Sequence, residues 1–188
     1  MGKAALRTTA LARRDAFDAA FRDEAAKAVA SRIAALAGAM PPGPVSAFWP
    51  IRSEIDPRPA LSLLASAGRT AALPRVTPRG LQFCAWSAGD PLVKAGFGLS
   101  EPGPEAPIVR PATMLVPLAA FDRRGHRIGY GAGYYDRAIA ACQADGAPLL
   151  TIGLAFSCQE VEAVPDEAHD KPLDFLVTER ETIRFRAP

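Results

Sequence analysis

The stretch TMLVPLAAFDRRGHRIGYGAGYYDRAIAAC (113–142) contains a strand, a loop and a helix in immediate succession. Its opening part, TMLVPLAAF (113–121), is almost continuously apolar, which is typical of a strand covered on both faces of a sheet. A glycine-rich segment follows it, and YYDRAIAAC (134–142) then has the pattern of a helix. This order predicts a parallel sheet with helices packed on its faces.

The rest of the chain repeats the alternation of strands and helices. One helix is predicted from Phe17 to Leu36, where apolar residues recur at helical spacing, and a second is predicted from Pro57 and Pro59 through Ala67. The further strand candidates are VSAFWPI (45–51), TAALPRV (70–76), LQFCAW (81–86), LLTIGLAF (149–156) and DFLVTE (174–179).

The shortest connection identifies one edge of the sheet. Only TPRG separates the strand at 70–76 from the strand at 81–86, so these two form an antiparallel hairpin at the edge. The Gly- and Pro-rich stretch 87–111 is interpreted as an extended surface connection. We therefore predict one domain over residues 1–188, a three-layer α/β/α sandwich with a mainly parallel, Rossmann-like sheet and a small antiparallel edge.

Composition restricts the partners. The 188 residues carry a formal net charge of +2, which provides no general basic surface for nucleic acid. We find no apolar run long enough to cross a bilayer and no signal-peptide pattern at the start, so we expect a cytoplasmic protein. The three cysteines are not paired in sequence and are interpreted as reduced packing residues.

The glycine-rich loop is the first candidate site. Gly125, Gly129, Gly131 and Gly133 lie between a buried strand and a helix, where backbone N–H groups and a helix start can bind an oxyanion. The nearby cations are Arg123, Arg124 and Arg127. The spacing matches neither the dinucleotide fingerprint nor the P-loop, and the glycines alone are equally compatible with a tight structural turn.

Carboxylates and an aromatic residue supply further candidates. Asp136 lies one turn into the helix, where it can complement the helix dipole or hold a hard cation. The loop before the last strand contains four acidic residues and one histidine: Asp166, Glu167, His169, Asp170 and Asp174. Its carboxylates either offer a second oxygen ligand for the cation or are merely solvated.

The end of the first strand is a candidate for a flat heterocycle. Trp49 and Glu54 follow that strand, and ligands bind where the strands of α/β sheets end. A core Trp49 and a helix-capping Glu54 are the alternative. Lys3 and Arg7, one helical turn apart, either bind phosphate together or simply face solvent.

Taken together, these segments resemble the 5-formyltetrahydrofolate cyclo-ligase family. The similarity rests on five ordered matches, of which the long string 115–137 is the most specific. They are KAALR (3–7), FWPIRSEID (48–56), FGLSEP (97–102), LVPLAAFDRRGHRIGYGAGYYDR (115–137) and VPDEAHDKPLDFLVTE (164–179).

The resemblance implies an enzyme that uses ATP and Mg²⁺ to convert 5-formyltetrahydrofolate into 5,10-methenyltetrahydrofolate without a covalent nucleophile. It assigns magnesium to Asp136 and Asp170. The substrate would contact Trp49, Glu54, Tyr130, Gly131, Ala132, Gly133 and Tyr134. ATP would contact Lys3, Arg7, Arg127, Ile128, Gly129, Tyr130, Gly131, Ala132, Gly133, Tyr134 and Tyr135.

Two positions depart from the family pattern. Ala132 stands where many relatives carry Gly or Lys, and Tyr130 stands where some relatives carry Arg. Any cationic help from these two positions is therefore absent in this chain. The alternatives are a sugar-phosphate isomerase, a CoA-transferase-like enzyme and a non-catalytic folate- or nucleotide-binding protein. We expect small-molecule substrates, no nucleic acid or membrane partner, and a monomer.

Overall fold

The structure is a computed structural model that describes residues 2–144, 146–165 and 170–185, without the side chain of Phe97. Its helices are α1 (Lys3–Asp15), α2 (Ala19–Ala35), α3 (Arg58–Ser66) and α4 (Tyr134–Gln143). Its strands are β1 (Val45–Ser46), β2 (Ala71–Thr77), β3 (Gly80–Ala85), β4 (Leu92–Lys94), β5 (Ser100–Pro102), β6 (Thr113–Pro117), β7 (Ala120–Phe121), β8 (Arg127–Ile128), β9 (Leu150–Leu154), β10 (Phe175–Val177) and β11 (Thr182–Arg184).

Within the described residues, seven strands form one sheet in the order β11-β10-β9-β6-β1-β2-β3. The five inner strands are parallel to one another, and β3 pairs antiparallel with β2 at the predicted edge. At the opposite edge β11 pairs antiparallel with β10, a second such edge that the sequence pattern did not reveal. The mainly parallel sheet is therefore confirmed.

Helices cover both faces of the sheet. Because neighbouring residues of a strand point to opposite faces, Leu115 of β6 packs with Val29 of α2 and Leu64 of α3, whereas Met114 packs with Ile139 of α4. The three-layer sandwich is confirmed. Among the described residues, no helix combines the length and the apolar character that a membrane-spanning segment needs.

Two predicted strands are shorter in the structure than in the sequence interpretation. The first keeps only Val45–Ser46, and the chain then leaves the sheet toward Glu54. The segment 113–121 is divided, because β6 ends at Pro117, which has no N–H group to donate, and β7 begins at Ala120. The connection 87–111 contains a short antiparallel pair, β4 and β5, instead of a fully extended chain.

The packing of β9 against its neighbours leads to a stability prediction. A Cβ atom at Gly153 would lie 2.6 Å from Leu173 Cδ1 and 2.8 Å from Leu118 Cδ2, and both leucines are fully buried. We expect Gly153→Ala to destabilise the protein by about 1–3 kcal/mol. The melting temperature should fall by about 2–4 °C for each kcal/mol.

Gly38→Ala is the matched control, because a Cβ atom there meets nothing within 4 Å. Thermal unfolding followed by circular dichroism measures both variants. An unchanged melting temperature for Gly153→Ala would show that the leucines around β9 can move aside.

Candidate functional site

A cavity of about 550 Å³ lies where β1 and β6 end. Parallel sheets bind ligands at this position, because the chain segments that leave neighbouring strands diverge there. The walls come from the turn after β1, the carboxyl half of β2, the β5 hairpin, the loop before α4 and the first turn of α4. The cavity therefore collects residues from segments that are distant in sequence.

Most of the predicted site residues line this cavity. They are Arg7, Trp49, Glu54, Arg127, Gly129, Tyr130, Ala132, Gly133, Tyr134, Tyr135 and Asp136. Lys3, Gly131 and Asp170 are outside the lining. Ile128 is also outside it, because its side chain is buried in a small core cluster with Ala10 and Val164.

Glu54 is held in a tight turn after β1. Its backbone N–H group donates to the Ile51 carbonyl at 3.1 Å, and its Oε2 accepts the Ile51 N–H group at 2.9 Å. Between them, Arg52 has φ 54°, a left-handed conformation that costs a non-glycine residue of the order of 1–3 kcal/mol. Pro57, and not Glu54, occupies the cap position of α3.

The Glu54 carboxyl is buried at the cavity wall. Burial raises the pKa of this carboxyl above the ordinary value of 4.5. Hydrogen bonds from the Ile51 N–H group and the Tyr130 hydroxyl oppose that rise, and so does the positive charge of the nearby Arg14 guanidinium. A raised pKa means that the ionised form depends on these partners. A ligand N–H group would be a further partner for the carboxylate.

Arg14 lies next to the candidate site and contacts its walls, a role that the sequence interpretation missed. It is only 1% exposed; its Nε donates to Ser53 Oγ at 2.9 Å, and its Nη1 donates to the Tyr130 hydroxyl at 2.8 Å. Ser53 Oγ in turn donates to the Asp15 carboxylate. No sequence motif predicts this role, because a buried arginine in a polar helix cannot be distinguished in sequence from a solvent-exposed arginine.

Trp49 lies between the core and the cavity. Its ring lies 6.0 Å from the Trp86 ring in an edge-on arrangement, and the Arg58 guanidinium lies 4.8 Å from its centroid. Trp49 packs against the core cluster and also lines the cavity. It therefore provides a partly buried aromatic wall next to Glu54.

The loop from Gly129 to Gly133 contributes another part of the cavity wall. Gly131 and Gly133 have positive φ angles of 102° and 61°, and Gly133 precedes α4 without any side-chain cap. Arg7 Nε donates to the Gly129 carbonyl at 2.7 Å, which attaches α1 to this loop. The first N–H groups of α4 are thus available to an anion at a helix start.

Gly125 is not part of this anion-binding loop. It lies in the turn between β7 and β8, where its N–H group donates to the Asp122 carbonyl, and a Cβ atom there would lie 3.0 Å from the Phe185 ring. The structural-turn interpretation therefore applies to this glycine. Close packing against Phe185 explains why glycine occupies this position.

Two of the three arginines near the glycine loop in sequence lie away from the cavity. Arg123 forms ion pairs with Glu160 and Glu181, and Arg124 pairs with Asp122. Neither lines the cavity. Of the three arginines, only Arg127 lines the cavity, so nearness in sequence does not bring Arg123 and Arg124 to the candidate anion site.

Two carboxylates lie near the buried Arg127 guanidinium. Asp136 Oδ1 accepts from Arg127 Nη2 at 2.7 Å, and Asp170 Oδ2 pairs with Lys3 Nζ at 2.8 Å. Burial lowers the pKa of Arg127, and the charges of Asp136 and Asp170 both oppose this. The two aspartates therefore share one electrostatic environment although 34 positions of sequence numbering separate them.

The donor set suits a hard cation bound together with phosphate. Mg²⁺ in phosphoryl-transfer sites takes one or two carboxylates and completes its shell with phosphate oxygens and water. No group of three or more His, Cys, Asp or Glu side chains in the described part of the chain is arranged to hold a metal. Asp136 and Asp170 fit a site in which the protein supplies only two carboxylates and phosphate and water supply the other ligands.

The acidic loop near the C-terminus is only partly described. Asp166, Glu167 and His169 lie outside the described residues. Asp174 accepts hydrogen bonds from the Thr151 N–H group at 2.9 Å and the Thr151 hydroxyl at 2.8 Å, so it anchors β10 to β9. Of the described carboxylates in this loop, Asp170 remains the candidate metal ligand.

The fold and the cavity define an α/β protein with a candidate ligand site at the carboxyl ends of its strands. A model of the 5-formyltetrahydrofolate cyclo-ligase family matches residues 1–179. The chain belongs to this family, and it is an enzyme.

Individual relatives agree with this assignment. The 5-formyltetrahydrofolate cyclo-ligase of Mycolicibacterium smegmatis is 30% identical over 191 residues, which cover 96% of this chain and 95% of that protein. The 5-formyltetrahydrofolate cyclo-ligase of Haemophilus influenzae is 32% identical over 141 residues, which cover 71% and 74% of the two chains.

Solved structures share the fold. The NMR structure of Aquifex aeolicus 5,10-methenyltetrahydrofolate synthetase superposes with a TM-score of 0.81 at 30% identity and covers 100% of this chain and 95% of that one. The 5,10-methenyltetrahydrofolate synthetase from Mycoplasma pneumoniae superposes with a TM-score of 0.75 at 22% identity, over 95% and 99% of the two chains, and shows the same fold.

Burial of Glu54 leads to a pH-dependent prediction. Because the pKa of this carboxyl is raised in the folded protein, the native state holds the proton more tightly than the unfolded chain, and stability is lost as pH rises through the folded pKa. We expect Glu54→Gln to raise the free energy of unfolding near pH 8, and this gain to disappear below about pH 4.5.

Urea unfolding between pH 4 and pH 9 measures this difference. Glu105→Gln is the control, because it removes one negative charge at an exposed position. A gain for Glu54→Gln that stays constant across the whole range would show that the carboxyl is not titrating between the two states.

Proposed function

We propose that this enzyme converts 5-formyltetrahydrofolate into 5,10-methenyltetrahydrofolate, with ATP as co-substrate and release of ADP and phosphate. The observation that carries the proposal is that one cavity is lined by a buried carboxylate, an aromatic residue, a glycine loop and a helix start. Family membership independently supports the same reaction.

Glu54 and Trp49 would bind the pterin. A buried carboxylate accepts hydrogen bonds from the N–H groups of a flat heterocycle, and an indole beside it offers apolar contact to the ring. Glu54 acts here as an orienting group, because the proposed reaction requires no base at the pterin. The hydrogen bonds from Ile51 and Tyr130 hold its carboxylate in place.

The glycine loop would bind the nucleotide phosphates. The N–H groups at the start of α4 face the cavity with the positive end of the helix dipole, and Arg7 and Arg127 line the same side. Lys3 lies next to this region through its ion pair with Asp170. Each of these groups would favour the negative charge that spreads over a transferring phosphoryl group.

Asp136 and Asp170 would hold Mg²⁺ together with phosphate oxygens, and bound Mg²⁺ would supply charge neutralisation. In the described structure their partners are Arg127 and Lys3, respectively. Binding of a divalent cation would release those two cations toward the phosphates. Arg127 and Lys3 would then contact the phosphates, and the two aspartates would contact Mg²⁺.

The protein would contribute mainly position and electrostatics. The formyl oxygen attacks the γ-phosphorus, the bond from this phosphorus to the β–γ bridging oxygen breaks, and ADP leaves. N10 then bonds to the activated formyl carbon and gives up its proton, and the carbon–oxygen bond breaks to release phosphate. No side chain forms a covalent intermediate in this sequence.

The decisive experiment mixes the purified protein with 5-formyltetrahydrofolate, ATP and Mg²⁺ and follows methenyltetrahydrofolate absorbance. We expect absorbance to rise only when ATP is present, with one ADP formed for each product molecule. Binding of folate without turnover would instead identify a non-catalytic binding protein. Turnover of a sugar phosphate or an acyl-CoA without ATP would favour the isomerase or transferase alternative.

The metal assignment predicts the behaviour of Asp136→Asn. Removing one of two carboxylates should raise the Mg²⁺ concentration for half-maximal activity about tenfold or more. Folate binding should stay within about twofold, because Glu54 and Trp49 are unchanged. Mg²⁺ titrations at saturating ATP and folate measure the first quantity, and an unchanged Mg²⁺ requirement would remove Asp136 from the metal site.

The orienting role of Glu54 predicts an asymmetric kinetic effect. Glu54→Gln keeps an oxygen for the Ile51 N–H group but loses the negative charge, so the KM for 5-formyltetrahydrofolate should rise by about ten- to a hundredfold, the worth of a hydrogen bond to a charged group. The kcat should change much less. Initial rates over a range of folate concentrations separate these terms, and a loss confined to kcat would contradict an orienting role.

A further inference from the structure

The turn between Trp49 and Glu54 holds one residue in an unfavourable backbone conformation. Among the described residues, Arg52 is the only non-glycine with a positive φ angle. A glycine would adopt this conformation without strain. Strained residues of this kind concentrate at ligand sites.

The Arg52 side chain is placed at the cavity without a protein partner. It lines the cavity and is exposed, and its charge acts on Glu54. Within the described ranges its guanidinium forms no hydrogen bond and no ion pair. Five N–H donors are therefore available to a molecule that enters the cavity.

The other arginines of the cavity are already engaged. Arg7 donates to the Gly129 carbonyl, and Arg127 donates to Asp136 and to the Lys171 carbonyl. Arg52 differs from both in having a strained backbone and no hydrogen-bonded acceptor. An acceptor supplied by the ligand accounts for both features.

We infer that the Arg52 guanidinium binds an oxyanion of the bound substrate. A guanidinium matches the paired oxygens of a carboxylate or a phosphate, which it can contact through two parallel hydrogen bonds. This inference rests on the proposed function, whose substrates carry both groups: carboxylates on the glutamate of the folate, and phosphates on ATP. The strained turn is retained because it holds Arg52 at the cavity.

Equilibrium binding tests this role without requiring turnover. Titration calorimetry of the wild type, Arg52→Gln and Arg52→Lys with 5-formyltetrahydrofolate and with ATP gives a Kd for each pair. We expect Arg52→Gln to weaken one ligand about tenfold, as for loss of a charge-assisted hydrogen bond at an accessible position, and Arg52→Lys to weaken it less. Arg79→Gln is the control, because Arg79 is exposed in the β2–β3 turn and does not line this cavity.

A truncated folate identifies the oxyanion. If the glutamate carboxylates are the target, the carboxamide of 5-formyltetrahydropteroate, which lacks glutamate and has no carboxylate, should bind wild type and Arg52→Gln equally. If phosphate is the target, only the Kd of ATP should change. Equal Kd values for both ligands in wild type and Arg52→Gln would overturn the inference.

The backbone strain gives a second, independent signature. Arg52→Gly should raise the melting temperature and weaken the same ligand, whereas a purely structural arginine would lower the melting temperature and leave binding unchanged. The two proposals fail differently. Absence of ATP-dependent methenyltetrahydrofolate formation by the wild type would refute the proposed function, whereas unaltered binding by Arg52→Gln would refute only the role of Arg52.

Discussion

The candidate site depends on the hydrogen bonds that the buried Arg14 guanidinium donates. A buried cation must have its donors satisfied by protein, since an unpaired charge in the interior is strongly unfavourable. Arg14 of α1 meets this requirement through Ser53 in the turn after β1 and Tyr130 in the glycine loop. Tyr130 in turn hydrogen-bonds to Glu54. One side chain therefore joins three segments and shapes two walls of the cavity.

Opposite charges near the glycine loop are paired within the protein. Arg127 is almost inaccessible and contacts Asp136, while Lys3 contacts Asp170. Such pairs offset part of the cost of burying charge and keep the groups in place. A ligand that brings both phosphate and a divalent cation can exchange partners with each pair. The turn after β1 is organised differently: Glu54 is buried, and Arg52 is exposed and has no hydrogen-bonded acceptor among the described residues.

Sequence patterns predicted the layers of the fold better than the ends of its strands. Continuous apolar runs such as LLTIGLAF (149–156) identify strands covered on both faces, and β9 lies inside that run. The short connection TPRG located the antiparallel edge formed by β3. Apolar runs continue beyond the hydrogen-bonded ladder into buried loops, however, so VSAFWPI contains only the two-residue strand β1.

By itself, the sequence determined most of the helices and central strands of the sandwich, which family the chain resembles, and about half of the residues that line the cavity. Periodicity, glycine spacing and motif order are local properties, so they can be interpreted along one chain. Only the tertiary structure decided that Arg14 joins the site, that Gly125, Arg123 and Arg124 do not, and that Asp170 approaches Lys3. These outcomes depend on which distant side chains satisfy one another in the folded protein, and no local pattern encodes the partner of a buried charge.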